Sequence, residues 1–573
     1  MNRKYFSLNG KLFCILSILI GAILLLGITK VMFLKPFFSI YAILFLFGPI
    51  IYITFFMNTK DRDRFFLYCI LFIPLFIITG LYFFTWQTPV GFNDAHIHIN
   101  QYNLIITKNE FLDFDFAQRT SFNYVGLYII TSNLENILNL DPVLISSFLP
   151  VIINSLLIVI SFIIIRKISN EKIAIVTTLI FGLENQILIF GQEYRTQTLG
   201  VLFLLALLFI LIKIGIKESK DYRGLYIISI FFLFGSAFSS FVSTVYMVII
   251  IAFFIIFYFL ISKILKDKIP SINRTFFSIF LLMIIIFYSY LAYFSGGFDE
   301  AMGAILEMIR ESSKSAFIIA FEGGNIYGIL INIITNLIRL LFIITLPLVV
   351  FYGYKSKKPV LLAFIFTFSI LFFFVLLDTA FGFLSVGRIY AVAFLLVAFM
   401  MSIFLITTSE QIQNIHKIRY FKFVLPLFLF VIIVSSIFHI PQYLIGNTEP
   451  IRSFEEIDTV SYWNQDEWQY SAGTFIFDHY YYKNIAFHSI ITNYYLRIGA
   501  RQNELNLTTT SDPFNDINNM NNCYFILHDK FDSQDYYARE TFPTVFSYLG
   551  PDVNQIFSNH DYIIFTKGNA NEF

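Results

Sequence analysis

Long apolar runs recur along this chain, and they constrain its fold more than any other feature. Each is close to the 20 or so residues that a helix needs to cross roughly 30 Å of hydrocarbon. Lipid offers no partner to an unpaired backbone N–H or C=O, so such runs must be helical. We read thirteen spans, over approximately 12–29, 37–57, 65–85, 143–165, 173–190, 199–216, 225–239, 242–262, 275–294, 326–353, 359–377, 389–407 and 423–440. The seventh and eighth are separated by nothing but Gly235-Ser236 and Ser239-Ser240. A single bent helix there would invert everything downstream. The first run has a basic start, as a signal peptide has, but it lacks a small-residue cleavage site and leads straight into a second span. The expected fold class is therefore a polytopic α-helical membrane protein of about 13 transmembrane helices.

Composition excludes the alternatives. Of the 573 residues 57% are hydrophobic and 13% are charged, where soluble domains carry about 25% charged residues. Disordered chains are more polar still. A net charge of +1 gives no global reason to expect nucleic acid. The placement of the charges is the informative part. With a cytoplasmic N-terminus, the inner segments hold 23 Lys and Arg residues. The outer loops before residue 441 hold eight, namely Lys30, Lys35, Lys108, Arg119, Arg195, Arg310, Lys314 and Arg388. This is the positive-inside asymmetry of a multi-pass protein of the cell membrane. The three cysteines are too far separated in this topology for a disulfide: Cys14 and Cys69 fall near cytoplasmic ends and Cys523 outside.

Three parts follow from this reading: a two-span extension over 1–64, a transmembrane core over 65–440, and an extracytoplasmic domain over 441–573. The core carries outer loops at 86–142, 191–198, 296–325 and 378–388. The last part is polar and rich in Asn and Asp. Its short apolar runs Asn484–Phe487, Cys523–Leu527 and Tyr562–Thr566 read as strands, while 465–481 and 491–499 have helical spacing. A small α/β domain is expected, with Asn506-Leu507-Thr508 as a glycosylation sequon and no catalytic cluster. A lid or docking role above the membrane part is its simplest use.

The unusual chemistry falls on the outer loops. The first opens Trp86-Gln87-Thr88-Pro89-Val90-Gly91-Phe92-Asn93-Asp94-Ala95-His96-Ile97-His98. Ala95, Ile99, Tyr102 and Ile106 then repeat with the period of an amphipathic surface helix, for which Asn93 or Asp94 would be the N-cap. The functional alternative makes Asp94, one turn before His98, a general base or metal ligand. An extended chain would instead set Asp94, His96 and His98 on one side as a metal cluster; the periodicity favours the helix. The second loop, Gly191-Gln192-Glu193-Tyr194-Arg195-Thr196-Gln197, packs Glu, Arg and two Gln between apolar spans. Capping and interfacial anchoring would explain it, and so would an anion site on Arg195. In the third loop Met302, Ile305, Met308 and Ile309 oppose Glu300, Glu307, Arg310, Glu311 and Lys314, a further surface helix before the flexible Glu322-Gly323-Gly324-Asn325. Arg339 falls inside the tenth span, where a charge costs at least about 2.5–3.5 kcal/mol and so faces a cavity or the bundle interior. Arg388 opens a span on the outer side, either paired with Asp378 or free to hold a phosphate through its planar fork.

This order of parts resembles the GT-C superfamily of membrane glycosyltransferases, which use polyprenyl-phosphate-linked sugars on the outer face. In that family a span is followed by a long outer loop with an acidic residue near its start, two further spans, and a short second loop with acidic residues. Here the third span, Asp94, the fourth and fifth spans, and Glu193 fall in that order. The stretch Phe122-Asn123-Tyr124-Val125-Gly126-Leu127-Tyr128, followed by Leu140-Asp141-Pro142, is similar to the family's return into the membrane. The chain most resembles poorly characterised archaeal or bacterial members with a C-terminal outer domain. The resemblance spans about residues 65–440 as architecture and its motifs are short.

The resemblance implies that Asp94 deprotonates an acceptor hydroxyl for an inverting attack on the sugar C1. It implies that Glu193 and His98 orient the acceptor, or join Asp94 around a divalent metal such as Mg or Mn. Arg195, Arg339 or Arg388 would then neutralise the lipid phosphate as it leaves. The implied partners are a polyprenyl-phosphate-linked sugar, a glycan, lipid or protein acceptor, and membrane lipid. Two departures matter. Only Trp86, Trp463 and Trp468 are present and none belongs to a Trp-Trp-Asp motif, which argues against transfer to protein asparagine. Glu193-Tyr194-Arg195 stands where the family has an acidic pair, which puts metal dependence in question. Other readings are a polysaccharide polymerase or ligase, which depends on large late loops, a lipid-linked-sugar transporter without catalysis, and a membrane scaffold. A transporter predicts inverted repeats and matched broken helices, which the sequence lacks.

Overall fold

A computed structural model describes residues 8–30, 36–56, 64–80, 83–84, 126–140, 142–184, 187–188, 194, 196–216, 222–265, 272–289, 345–381, 386–416, 426–427, 429, 484–488, 506–510, 523–528, 553–558 and 562–567. The described residues fall in two compact units, one of helices and one of strands. The helical unit contains α1 (Leu8–Lys30), α2 (Pro36–Phe56), α3 (Arg64–Thr79), α4 (Gly126–Leu138), α5 (Pro142–Ile168), α6 (Glu171–Gly182) and α7 (Thr196–Gly215). It continues with α8 (Tyr222–Ser239), α9 (Phe241–Ile264), α10 (Ile272–Ser289), α11 (345–356), α12 (Pro359–Phe381) and α13 (Val386–His416).

These helices are apolar almost all round, which in water would be untenable. Phe13 and Phe231 are each 70% exposed and Phe65 is 78% exposed, as expected of side chains that face hydrocarbon. Within the described residues, Leu144–Ile168, Gln197–Ile214 and Tyr246–Ile264 are each long and apolar enough to cross a membrane, and six shorter apolar stretches accompany them. The protein is a helical membrane protein. Pro49, Pro74 and Pro150 lie inside α2, α3 and α5, where neighbouring helices and local adjustments re-satisfy the freed carbonyls.

Several boundaries differ from those read off the sequence. The fifth span is not one unbroken helix: α6 stops at Gly182, Leu183 forms its C-cap, and Glu184 starts a new turn whose Ile187 N–H bonds the Glu184 Oε2 at 3.3 Å. The polar run Glu184-Asn185-Gln186 marks the break in the sequence, but a window average over the apolar residues around it smooths it out. Asp378 is not a loop residue but belongs to α12, and Arg388 is the third residue of α13, so only 382–385 separate these helices. The proposed turn between the seventh and eighth spans is real. Ser240 is extended (φ −166°, ψ 128°) and its side chain accepts from the Ser243 N–H. Thr244 Oγ1 lies 2.9 Å from the Ser236 carbonyl, whereas eight residues of straight helix would separate them by about 12 Å. The chain therefore turns sharply here. Serines and a threonine make that affordable, because their hydroxyls take over bonds that the broken helix loses.

One end of the unit is fastened by charge. Asn170 caps α6 through the Ile173 N–H at 2.9 Å, with Glu171 in the first turn, and Arg166 and Lys167 end α5; each charge suits its helix dipole. Tyr68 of α3 donates to Glu171 Oε1 at 2.6 Å while the Arg166 guanidinium lies 5.4 Å from the Tyr68 ring centroid. Lys11 stands at 5.4 Å over Phe66, and Lys172 at 5.4 Å over Phe55. These contacts tie α1, α2, α3, α5 and α6 at the end that the positive-inside count places in the cytoplasm. Midway along α5 the amide of Asn154 is fully buried with neither its nitrogen nor its oxygen bonded, and Thr79 of α3 is likewise buried with an unbonded hydroxyl.

In the second unit five strands form a mixed sheet in the order β2-β1-β3-β5-β4, with β1 (Asn484–His488), β2 (Asn506–Thr510), β3 (Cys523–His528), β4 (Val553–Ser558) and β5 (Tyr562–Lys567). β1 runs parallel to both β2 and β3, in register Asn484 with Asn506 and with Cys523. β5 lies antiparallel between β3 and β4, and a bulge interrupts the last pair between Gln555 and Phe557. The apolar Cys523–His528 strand takes the centre and the polar Asn506–Thr510 strand an edge, as burial and edge protection require. Three expected strands are present; β2 and β4 are too polar to have been read from apolar runs. The helices expected at 465–481 and 491–499 lie outside the described residues.

Candidate active site

α4, from the first loop singled out by the sequence, and Tyr194, from the second, meet in the helical unit through neutral hydroxyls. The first loop returns through α4. This helix ends because Asn139 adopts the left-handed conformation (φ 51°) while its N–H bonds the Glu135 carbonyl at 2.8 Å, a common stop for which Asn is suited. Three residues later Pro142 opens α5, where a missing N–H costs nothing. That is the physical content of the Leu140-Asp141-Pro142 motif. At its other end α4 begins with Gly126 against the corner between α8 and α9. A Cβ at Gly126 would lie 3.0 Å from the Phe238 carbonyl oxygen and 3.1 Å from Ser239 Oγ, so only glycine fits without displacing backbone.

The second loop is anchored by Tyr194. Its ring is fully buried, and its hydroxyl lies 2.6 Å from Thr131 Oγ1 of α4. Thr131 donates its own proton to the Leu127 carbonyl at 3.0 Å, which leaves Tyr194 as the donor to Thr131. Burial pushes the Tyr194 phenol well above its ordinary value, so the phenol keeps its proton. Two residues later α7 begins, and Ser243 of α9 bonds the Gln197 carbonyl at 3.3 Å. Gly200 packs so closely on Ser243 that an added Cβ would lie 2.5 Å from the Ser243 Cβ. Thus α4, α7 and the Ser240 corner meet at one end of the bundle, opposite the charged end.

Of the residues proposed from the sequence, Asp94, His96, His98, Glu193, Arg195 and Arg339 lie outside the described residues. Glu193 and Arg195 are the chain neighbours of Tyr194. Arg388 is in the first turn of α13. Among the described residues no group of three His, Cys, Asp or Glu side chains gathers to hold a metal ion; Asp94, His98 and Glu193, the ligands named from the sequence for Mg or Mn, lie outside them. Sequence reading missed Tyr194, Thr131 and Glu184. For Glu184 the signal was present: a carboxylate inside an apparent span is costly enough to mark a break. For Tyr194 and Thr131 there was none, since a tyrosine near an interface and a threonine in an amphipathic helix are ordinary.

No protein-family model matches the sequence, and no curated protein matches it. Among solved structures, the oligosaccharyltransferase of Archaeoglobus fulgidus tethered to an acceptor peptide containing the NVT sequon is similar at TM-score 0.49 and 12% identity, over 90% of this chain and 75% of that one. The same enzyme in complex with Zn and sulfate gives TM-score 0.46 at 12% identity, over 87% and 73%. ArnT from Cupriavidus metallidurans bound to undecaprenyl phosphate gives TM-score 0.40 at 10% identity, over 88% and 98%. Both neighbours are GT-C membrane glycosyltransferases. Likeness of this degree establishes neither a shared fold nor a shared activity for this chain.

Proposed function

We propose that the chain is a membrane glycosyltransferase of GT-C type, moving a sugar from a polyprenyl-phosphate donor to a glycan, lipid or protein acceptor on the outer face of the membrane. The observation that carries this reading is the meeting of the two outer loops. The loop that begins with Asp94 returns through α4, and α4 is bonded directly to the residue between Glu193 and Arg195. In this reading Asp94, Glu193 and Arg195 serve one reaction on the outer face while the donor tail stays in lipid.

In the reaction, Asp94 accepts the proton of the acceptor hydroxyl as its oxygen attacks the sugar C1. The new C–O bond forms as the C1–O bond to the phosphate breaks, with inversion at C1, and the electron pair leaves with the phosphate. Arg195, with Arg339 or Arg388, neutralises the negative charge that grows on that leaving group. Glu193 and His98 orient the acceptor by hydrogen bonds. A divalent ion bound at Asp94, His98 and Glu193 would supply further charge neutralisation at the phosphate.

The test uses the purified protein in lipid, a panel of polyprenyl-phosphate sugars and an extract of glycan and lipid acceptors, with donor loss as the readout. Acceptor-dependent turnover is expected in the wild type and a fall of about 10²–10⁴-fold in Asp94→Asn, with folding and donor binding kept. Full activity in the variant would remove Asp94 from its role. No donor consumption by the wild type would remove the transferase reading, and lipid flipping would be measured next.

A further inference from the structure

We propose that the Tyr194–Thr131 hydrogen bond is a clasp between the two outer loops, and that Tyr194 is a positioning residue for Glu193 and Arg195; the catalytic half of this inference rests on the glycosyltransferase reading. Three observations converge on it. Tyr194 is fully buried although it sits in a loop of charged and amide side chains, so its ring is an anchor and not a surface contact. Its hydroxyl meets Thr131 at 2.6 Å, and the Thr131 proton is already committed to Leu127. The bond therefore has one direction and cannot be traded for another rotamer of the threonine without losing two hydrogen bonds. Finally, α4 itself is seated through Gly126 on the Ser239 corner, and α7 through Gly200 and Gln197 on Ser243. Both partners of the clasp are thus braced from behind by the same turn.

The consequence is geometric. Glu193 and Arg195 each lie one peptide from a fixed point, so the clasp narrows their range before substrate arrives. A misplacement of about 1 Å at a reacting centre costs up to about a hundredfold in rate, and an unclasped loop has at least that freedom. Binding of the donor, dominated by its lipid tail and phosphate, should depend on the clasp much less than turnover does.

The experiment compares wild type with Tyr194→Phe, Thr131→Val and Thr131→Ser in lipid. The first two remove one oxygen each; serine keeps it. Turnover is expected to fall about tenfold in Tyr194→Phe and Thr131→Val with donor KM within twofold, to recover in Thr131→Ser, and to fall no further when the first two are combined. Hydrogen–deuterium exchange over 126–131 and 190–196 is expected to rise together in the two clasp-breaking variants. Wild-type turnover in Tyr194→Phe, or additive losses in the combined variant, would overturn the positioning role. If the wild type consumes no donor the glycosyltransferase reading fails, and exchange then decides the clasp: coupled acceleration of both segments upholds it, and unchanged exchange overturns it.

Discussion

The two ends of the helical unit are fastened by different chemistry. At one end, Tyr68 bonds the Glu171 carboxylate while Lys11, Arg166 and Lys172 sit over aromatic rings. At the other, Tyr194, Thr131, Ser236, Ser240, Ser243 and Thr244 hold helix ends together through neutral oxygens. The charged end uses the surplus of Lys and Arg that membrane orientation demands and turns it into packing. Asp94, Glu193 and Arg195, which the sequence assigns to that end, are proposed for the chemistry and not for the fastening, and this is the distinction that experiment can break or sharpen.

The largest separation is expected from Glu193→Gln. It should lower turnover at least about a hundredfold and leave unfolding within about 0.5 kcal/mol of wild type. A large loss of stability would make Glu193 a fastening residue and erase the contrast. The mirror experiment is Tyr68→Phe, at the charged end. Loss of a half-buried bond to a carboxylate should cost about 1.5 kcal/mol with turnover per folded molecule unchanged. A fall in turnover would couple the two ends. The third measurement is pH. Burial makes the Tyr194 phenol a weaker acid in the folded chain than its ordinary 10.0, so its contribution is whole below pH 10 and is lost as pH rises beyond it. Wild type should therefore lose stability more steeply than Tyr194→Phe above pH 10, and parallel curves would show that the phenol is not held neutral by the fold.

The membrane helices were legible because hydropathy acts over whole turns, and the turn at Ser240 was legible because Gly235, Ser236, Ser239 and Ser240 crowd six positions in an apolar run. The end of α6 was not, since a short polar run between two apolar segments barely moves a window average; Glu184-Asn185-Gln186 marked it. The central strand Cys523–His528 was readable from its apolar residues, while β2 drew attention only as a sequon, its threonines being suited to an edge that apolar patterning does not detect. At the proposed site, ionisable residues announce themselves in an apolar chain, which is why the sequence singles out Asp94, Glu193 and Arg195. Tyr194 and Thr131 are common side chains whose role comes from a contact 63 residues apart in the chain. Pairings of that kind depend on tertiary packing, and no local pattern encodes them.

Asn154 bears on how the protein behaves once it leaves its bilayer. An amide sealed inside α5 with neither atom bonded is a standing penalty of about 1–3 kcal/mol. Detergent relaxes the lateral pressure that keeps a seam with such a defect shut. Asn154→Leu, branched like the amide and free of polar atoms, should raise the midpoint of thermal aggregation in micelles by an amount equivalent to about 1 kcal/mol, with donor turnover unaltered. A lower midpoint would mean that a solvent molecule had been bridging the amide. The same substitution would then be a handle for purification in the first case and a locator of internal water in the second.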